Sequence, residues 1–291
     1  MSQRDFDYQP RDFRRVRDMI YARAGISLSD AKQDMVYSRL ARRLRALKIG
    51  AFAPYLDALE ADEHSSEWEA FVNALTTNLT SFFRESHHFD QLADFVRKRK
   101  ATAERPLMIW SSAASTGEEP YSIAMTVIEA LNTPTPPVRI LATDIDTQVL
   151  DTAAAGVYAL DRLQNISAAR LRRFFLRGRG AHEGYAKVAE PLRRLITFRQ
   201  LNLLDESWPL RGPFDAIFCR NVMIYFDKPT QRAILTRMRP LLPADGLLFC
   251  GHSESFQHAT DLFRPCGRSV YAPVTAATAA TRPAPIRRVA A

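Results

Sequence analysis

Residues 107–125 read LMIWSSAASTGEEPYSIAM, and this run constrains the fold more than any other stretch of the chain. Residues 107–110 are apolar and read as a buried strand. The loop after them, 111–117, has almost no side-chain bulk, so a ligand can lie close against its backbone. Glu118 and Glu119 then stand where a helix begins. A loop built to hold phosphate needs cationic and amide donors, and paired carboxylates repel such a ligand. The expected ligand is therefore nucleotide-like but positively charged. S-adenosylmethionine, with its sulfonium and ammonium groups, fits that description.

The rest of the chain divides around this run. From residue 12 to about 90 the apolar residues recur at helical spacing, as in Phe13, Val16 and Ile20 and in Val36, Leu40, Leu44 and Leu47. From 107 onward, strand candidates at 107–110, 138–143, 196–202, 216–219 and 246–250 alternate with helices, which implies βαβ units around a mostly parallel sheet. The reading is a helical domain over 1–90, a linker over 91–106 carrying the charge run RKRKATAERP, and an α/β domain over 107–274. Between about 158 and 190 the pattern weakens. There RGRGAHEGYAKV (177–188) reads as turns joining short strands, an insert in the α/β domain. Residues 275–291 are low in complexity and are expected to form a disordered tail.

A formal charge of +8 calls for an acidic partner or a basic solvated surface. No apolar run approaches the roughly 18 residues that span a bilayer, and MSQRDFDYQPRDF lacks an apolar signal core. The three cysteines, Cys219, Cys250 and Cys266, have neither disulfide nor zinc spacing. The expectation is a cytoplasmic protein without a metal site.

Several polar residues fall where strands end. Asp144 closes the second strand, where an acid accepts hydrogen bonds from ribose hydroxyls; Asp146 suits the N-cap of the next helix. Asn202 and the pair Arg220–Asn221 close two further strands. An isolated Asn in such a place is usually a turn residue, but Gly117, Asp144, Asn202 and Asn221, at four strand ends in chain order, converge on one crevice at the carboxyl edge of an open sheet. Cys219 reads as a small buried apolar residue. Upstream, Asn78, Thr80 and Ser81 interrupt the helical pattern just before Phe82, Phe83 and Arg84, as in a loop held over a site or a capped helix start. His87 and His88 point to different helix faces and have no third ligand nearby.

Taken together, TTNLTSFFRE, WSSAASTGEEPYS, ATDIDTQVL, FCRNVMIYFD and GLLFCGHSESF closely resemble the chemotaxis receptor methyltransferases, the CheR family, in order and spacing from about residue 12 to 272. The resemblance implies an N-terminal all-helical domain followed by a Rossmann-like α/β domain with a small antiparallel β-subdomain. It implies methyl transfer from S-adenosylmethionine to glutamate side chains of chemoreceptor cytoplasmic helices. By the same resemblance, Asn78, Thr80 and Arg84 contribute to the cofactor pocket, Glu119 binds the methionine ammonium and Asp144 the ribose. Asn202, Leu203, Arg220 and Asn221 supply further cofactor contacts, and Arg84 and Tyr225 match positions implicated in catalysis. RGRGAHEGY resembles the loop with which some members bind a receptor's C-terminal pentapeptide, which assigns Gly178, Arg179 and Gly180 to a peptide-binding loop.

The chemistry suits these residues. A glutamate side chain, with an ordinary pKa near 4.3, is ionised at neutral pH and needs no general base. The task is orientation, for which Arg84 offers a planar fork of donors. In RLARRLRALK (39–48), Arg39, Arg42 and Arg45 lie three apart on a helix whose other face is apolar, an expected docking stripe for an acidic receptor helix. A nucleic-acid methyltransferase is the main rival. Its Asn/Asp-Pro-Pro-aromatic loop is missing from RNVMIYF, and aromatic interleaving is missing from the basic helix. An adaptor that binds the cofactor without turnover is a second rival, disfavoured by Arg84, Glu119, Asp144 and Tyr225. A monomer without nucleic-acid partner or membrane insertion is expected.

Overall fold

The computed structural model describes residues 5–102 and 104–275. The expected tail therefore lies outside the described residues, apart from Thr275. Four helices open the chain: α1 (Pro10–Ala24), α2 (Gln33–Leu47), α3 (Phe52–Ala61) and α4 (Glu67–Leu75). Their apolar stripes meet in one core, with Phe13, Val16 and Ile20 packed against Val36, Leu40, Leu44, Phe52, Leu56 and Phe71. Burying each such side chain contributes about 1.5–3 kcal/mol, which is what holds helices this short together. Leu47, read as part of the α2 stripe, is exposed at the helix end.

A fifth helix, α5 (His87–Thr102), takes in most of the segment read as a linker. Phe89, Leu92 and Val96 recur at helical spacing on its buried face, within the core of the α/β unit. The run RKRK sits in the last turns, where cations suit the negative helix end. Charge hid an amphipathic helix.

The α/β unit continues with β1 (Leu107–Ser111), α6 (Glu118–Leu131), β2 (Val138–Asp144) and α7 (Thr147–Ala155). Next come β3 (Val157–Ala159), α8 (Ala168–Phe174), β4 (Phe175–Arg177), β5 (Tyr185–Val188) and α9 (Glu190–Arg193). The chain ends with β6 (Ile196–Gln200), β7 (Ala216–Cys219), α10 (Lys228–Met238), β8 (Leu247–Cys250), β9 (Phe263–Gly267) and β10 (Val270–Pro273). The main sheet has the order β6-β2-β1-β7-β8-β10-β9. Strands β6, β2, β1, β7 and β8 are parallel, and β10 and β9 add an antiparallel edge. The two-residue alternation of strands splits the core across the sheet. Leu107 and Ile109 face α5 and α6, whereas Trp110, Ile217 and Leu248 face Ile234, Leu235 and Met238 of α10.

Strands β3, β5 and β4 form a separate antiparallel sheet, and residues 178–184 connect β4 to β5. This small sheet is tied to the loop after β1. The Tyr158 hydroxyl donates to the Thr116 carbonyl at 2.7 Å, and Arg162 pairs with the buried Glu118.

Polar clasps fasten the helical layer over the carboxyl edge of the sheet. Asp146 caps α7 through the amides of Gln148 and Val149 and takes Thr76 and Asn78 on its other oxygen, both at 2.8 Å. Asn202 Nδ2 donates to the Arg23 carbonyl at 2.8 Å, and the Ser27 amide donates to the Tyr225 carbonyl at 2.8 Å.

Candidate active site

In the sheet order, β1 has β2 on one side and β7 on the other, so the chain reverses direction across the sheet at β1. A crevice opens at the carboxyl ends of such strands. Here the helical layer roofs it into a cavity of about 340 Å³. All the cofactor and catalytic residues expected from sequence line it: Asn78, Thr80, Arg84, Glu119, Asp144, Asn202, Leu203, Arg220, Asn221 and Tyr225.

The inner wall is acidic and tightly held. Glu119, in the first turn of α6, accepts from the Ser111 hydroxyl at 2.8 Å and from Arg220 Nη1 at 2.7 Å. Arg220 follows β7, is buried, and lies 3.5 Å from the Glu85 carboxylate on its other side. Its second nitrogen donates to the Arg84 carbonyl. Burial pushes the Glu85 carboxyl up, but Arg220, the His252 amide and the Asn221 side chain outweigh it and hold Glu85 below its ordinary value. One guanidinium thus faces two carboxylates, leaving room for one further positive charge.

Asp144 ends β2 and is also buried. It accepts from the Ser115 amide at 2.8 Å and the Asp146 amide at 3.0 Å. Burial raises its carboxyl to about 6 against the pull of those amides. Each oxygen keeps a lone pair beyond these bonds, so ribose hydroxyls can be accepted.

Arg84 sits on a turn bent by its neighbours. Phe83 (φ 53°) and Glu85 (φ 56°) flank it in the left-handed region, a conformation that costs a non-glycine residue about 1–2 kcal/mol. The Phe83 amide is pinned by the Ser122 hydroxyl at 3.0 Å, and Arg84 Nη1 donates to the Leu79 carbonyl at 2.9 Å. The Leu79 contact holds the guanidinium at the cavity. Tyr225 arrives from the far wall, on the turn after β7.

Two expected residues have different duties. Asn202 uses both ends of its amide locally, accepting from the Leu204 amide at 3.0 Å while it clasps Arg23. Asn78 is similarly committed to Asp146, and its carbonyl accepts from the Ser115 hydroxyl at 3.0 Å. Both shape the cavity as much as they face it.

The basic stripe on α2 is a correction. Arg39 is half-buried, lines the cavity, and donates to the Leu75 carbonyl at 3.0 Å and to the Thr76 carbonyl, closing the end of α4. Burial, and then Arg42, lower its pKa from the ordinary value. Arg42 and Arg45 are exposed, with Arg45 paired to Asp5. A step of three residues falls about 60° short of a full turn, so Arg39 and Arg45 point about 120° apart. One stripe becomes an inward arginine and an outward pair. Gly178, Arg179 and Gly180 lie between β4 and β5 in the small sheet, outside the cavity lining.

Sequence reading missed Glu85 and Glu254, which hold Arg220 and Asn221 from behind. Their signal was only their place inside TTNLTSFFRE and GHSESF. Among the described residues, no group of His, Cys, Asp and Glu could hold a metal ion.

The cavity fits S-adenosylmethionine by its donor set. Ser112, Ala113 and Ser115 leave the wall thin enough for a nucleoside, Asp144 faces it with lone pairs, and Glu119, paired with Arg220, presents a carboxylate that suits an ammonium. Such a roofed α/β sheet with an acidic nucleoside cleft is the architecture of a Rossmann-like methyltransferase. Two family models then match almost the whole chain: CheR methyltransferase, all-alpha domain, over residues 11–76, and CheR methyltransferase, SAM binding domain, over residues 78–272. The chain belongs to the CheR methyltransferase family, and it is an S-adenosylmethionine-dependent methyltransferase. It is 57% identical over 269 residues to chemotaxis protein methyltransferase 2 of Pseudomonas aeruginosa, spanning 92% of this chain and 95% of that one. It is 54% identical over 260 residues to chemotaxis protein methyltransferase of Escherichia coli, spanning 89% and 90%.

Proposed function

We propose that this chain methylates glutamate side chains in the cytoplasmic domains of chemoreceptors, forming glutamyl methyl esters in chemotactic adaptation. The observation that supports this best is a single cavity in which Glu119 and Asp144, suited to a cationic nucleoside, meet Arg84 and Tyr225, suited to a carboxylate. When bound, the cofactor supplies a methyl carbon on a positively charged sulfur. Held beside it, the substrate carboxylate, already an anion, would take the methyl group as the carbon–sulfur bond broke to leave a neutral thioether, so no proton has to be removed and the chain needs no base. Arg84 holds the carboxylate through charge-assisted hydrogen bonds, and its strained turn fixes the direction of approach. Tyr225 closes the other side of the reacting atoms. Water is kept out by the roof formed by Thr76 to Ser81.

Recognition of the protein substrate falls to two other surfaces. Arg42 and Arg45, exposed on α2, suit an acidic receptor helix. The edge of the small sheet at β4, with the 178–184 connection, suits an extended C-terminal peptide added as a further strand. Tethering there raises the local concentration of methylation sites. Among the described residues no helix is long and apolar enough to cross a membrane. A cytoplasmic monomer is the state proposed.

The test is transfer of labelled methyl from S-adenosylmethionine to receptor cytoplasmic fragments, with and without their C-terminal peptide, and to duplex DNA. Base-labile label on receptor glutamates is the expected result. Label on DNA alone, or none on the fragments, refutes the reading.

A further inference from the structure

Glu254 lies in the loop after β8, buried, and its carboxylate is satisfied by backbone amides. Oε1 accepts from the Met223 amide at 2.8 Å, and Oε2 accepts from the Asn221 amide at 3.0 Å and from the Gly251 amide. The Asn221 and Met223 amides open the turn that carries Tyr225 into the cavity. Asn221 itself has φ 58°, and its side chain is drawn the other way, donating to Glu85 Oε1 at 3.3 Å. Gln231 secures the far end of the turn, donating to the carbonyls of Met223 at 2.8 Å and Phe226 at 3.0 Å. Gly251 is required by the closeness of this contact: a Cβ there would stand 2.3 Å from Asn221 Nδ2 and 2.8 Å from its amide nitrogen. A buried carboxylate is costly unless several donors converge on it, and a turn that only had to close could use a neutral acceptor.

We propose that Glu254 is a positioning residue for methyl transfer: its carboxylate fixes the Asn221–Tyr225 turn so that the Tyr225 side chain faces the reacting atoms. This rests on placing Tyr225 in the catalytic site. Glu254 touches neither substrate nor cofactor and acts through the Asn221 and Met223 amides.

Full-length Glu254→Gln, Glu254→Asp, Gly251→Ala and Tyr225→Phe are compared with the parent chain. The readouts are kcat and KM for a receptor fragment, counted per S-adenosylhomocysteine-binding site, and amide hydrogen exchange. Gln presents an NH₂ to an amide that needs an acceptor, so kcat per site falls by roughly tenfold or more, as a small misplacement of a reacting group does. KM changes less than about threefold, and exchange quickens at Asn221 and Met223 while the interiors of β7 and β8 stay protected. Glu254→Asp keeps the charge and recovers part of kcat. If Glu254→Gln does not fold, Gly251→Ala keeps the charge but wedges a Cβ between Asn221 and Glu254 Oε2, 2.9 Å away, and gives the same loss. Unchanged kcat per site in the folded variants overturns the proposal, as does faster exchange spread through β7 and β8. Tyr225→Phe with full kcat overturns the Tyr225 assignment and the positioning role with it, whereas an impaired Tyr225→Phe beside an unimpaired Glu254→Gln overturns the Glu254 proposal alone.

Discussion

Arg220 Nη1 donates to Glu119 at 2.7 Å inside the cavity wall, so the carboxylate that faces the cavity is already partnered by a fixed cation. Its neighbour Glu118 is wholly buried and turned the other way, onto Arg162 of the small-sheet insert. Adjacent positions thus hold the proposed cofactor group and a structural one. Glu119→Gln should raise the Kd for S-adenosylmethionine by about 10- to 100-fold, the worth of one charge-assisted hydrogen bond. Glu118→Gln should instead lower Tm by a few degrees and leave Kd within about threefold, because a wholly buried position loses its charge-assisted bond to Arg162. Calorimetric titration with thermal unfolding separates the two; reversed effects would reassign the pair.

Cofactor affinity should depend on pH through Asp144. Burial lifts its carboxyl to about 6, and protonation replaces an acceptor with a donor where ribose hydroxyls bind. Binding favours the ionised form, so the bound-state pKa lies below the free one. Affinity is then full above about pH 6 and falls as pH drops through that value, by up to tenfold per unit. Asp144→Asn should bind weakly with a flat profile. Titrations from pH 5 to 8 check this, and a wild-type profile as flat as the Asn variant's would remove Asp144 from the ribose site.

The sequence was most readable where one pattern served one purpose. The runs ending at Trp110, Thr143 and Cys219 named the parallel strands, and the polar residues after them named the cavity wall, because an open sheet places those ends together. It was least readable where two purposes overlapped. The helix α5 hid beneath RKRK, since its solvated last turns carry charge and its buried residues are spaced among polar ones. The edge strand β9, with only Phe263 buried, shows no alternation. Glu254 supports its turn across a gap in sequence, and nothing local to GHSESF encodes that contact.

Arg39 and Arg42 should give different mutant phenotypes. Arg39 gathers the last carbonyls of α4 beside the cavity, a multi-bond geometry that lysine's point charge cannot reproduce. Arg39→Lys and Arg39→Ala should both lower Tm and reduce kcat/KM about tenfold or more at every salt concentration, as the Thr76–Ser81 roof loosens. Arg42→Ala should leave Tm unchanged and raise KM for receptor fragments only at low salt, where its attraction is unscreened. Steady-state kinetics between 20 mM and 500 mM salt, chosen to span a Debye length of about 20 Å down to about 4 Å, compares them. A salt-dependent Arg39→Ala defect would return Arg39 to the docking surface.

Gly178 makes the most specific case for the insert. Its amide donates to the Tyr185 carbonyl at 2.8 Å, and a Cβ there would stand 2.0 Å from the His182 carbonyl oxygen, so alanine must push the 178–184 connection apart. Gly180 differs: a Cβ there meets nothing within 4 Å, and only its φ of 58° resists substitution, at about 1–2 kcal/mol. Gly178→Ala should therefore abolish binding of a receptor C-terminal peptide, while Gly180→Ala weakens it by about tenfold. The cavity shares no wall with this loop, so methylation of fragments that lack the peptide should stay within about twofold of the parent for both variants. Peptide binding by anisotropy, with kcat/KM on both fragment types, gives the result. Peptide affinity untouched by Gly178→Ala would move the tether site away from this edge of the small sheet.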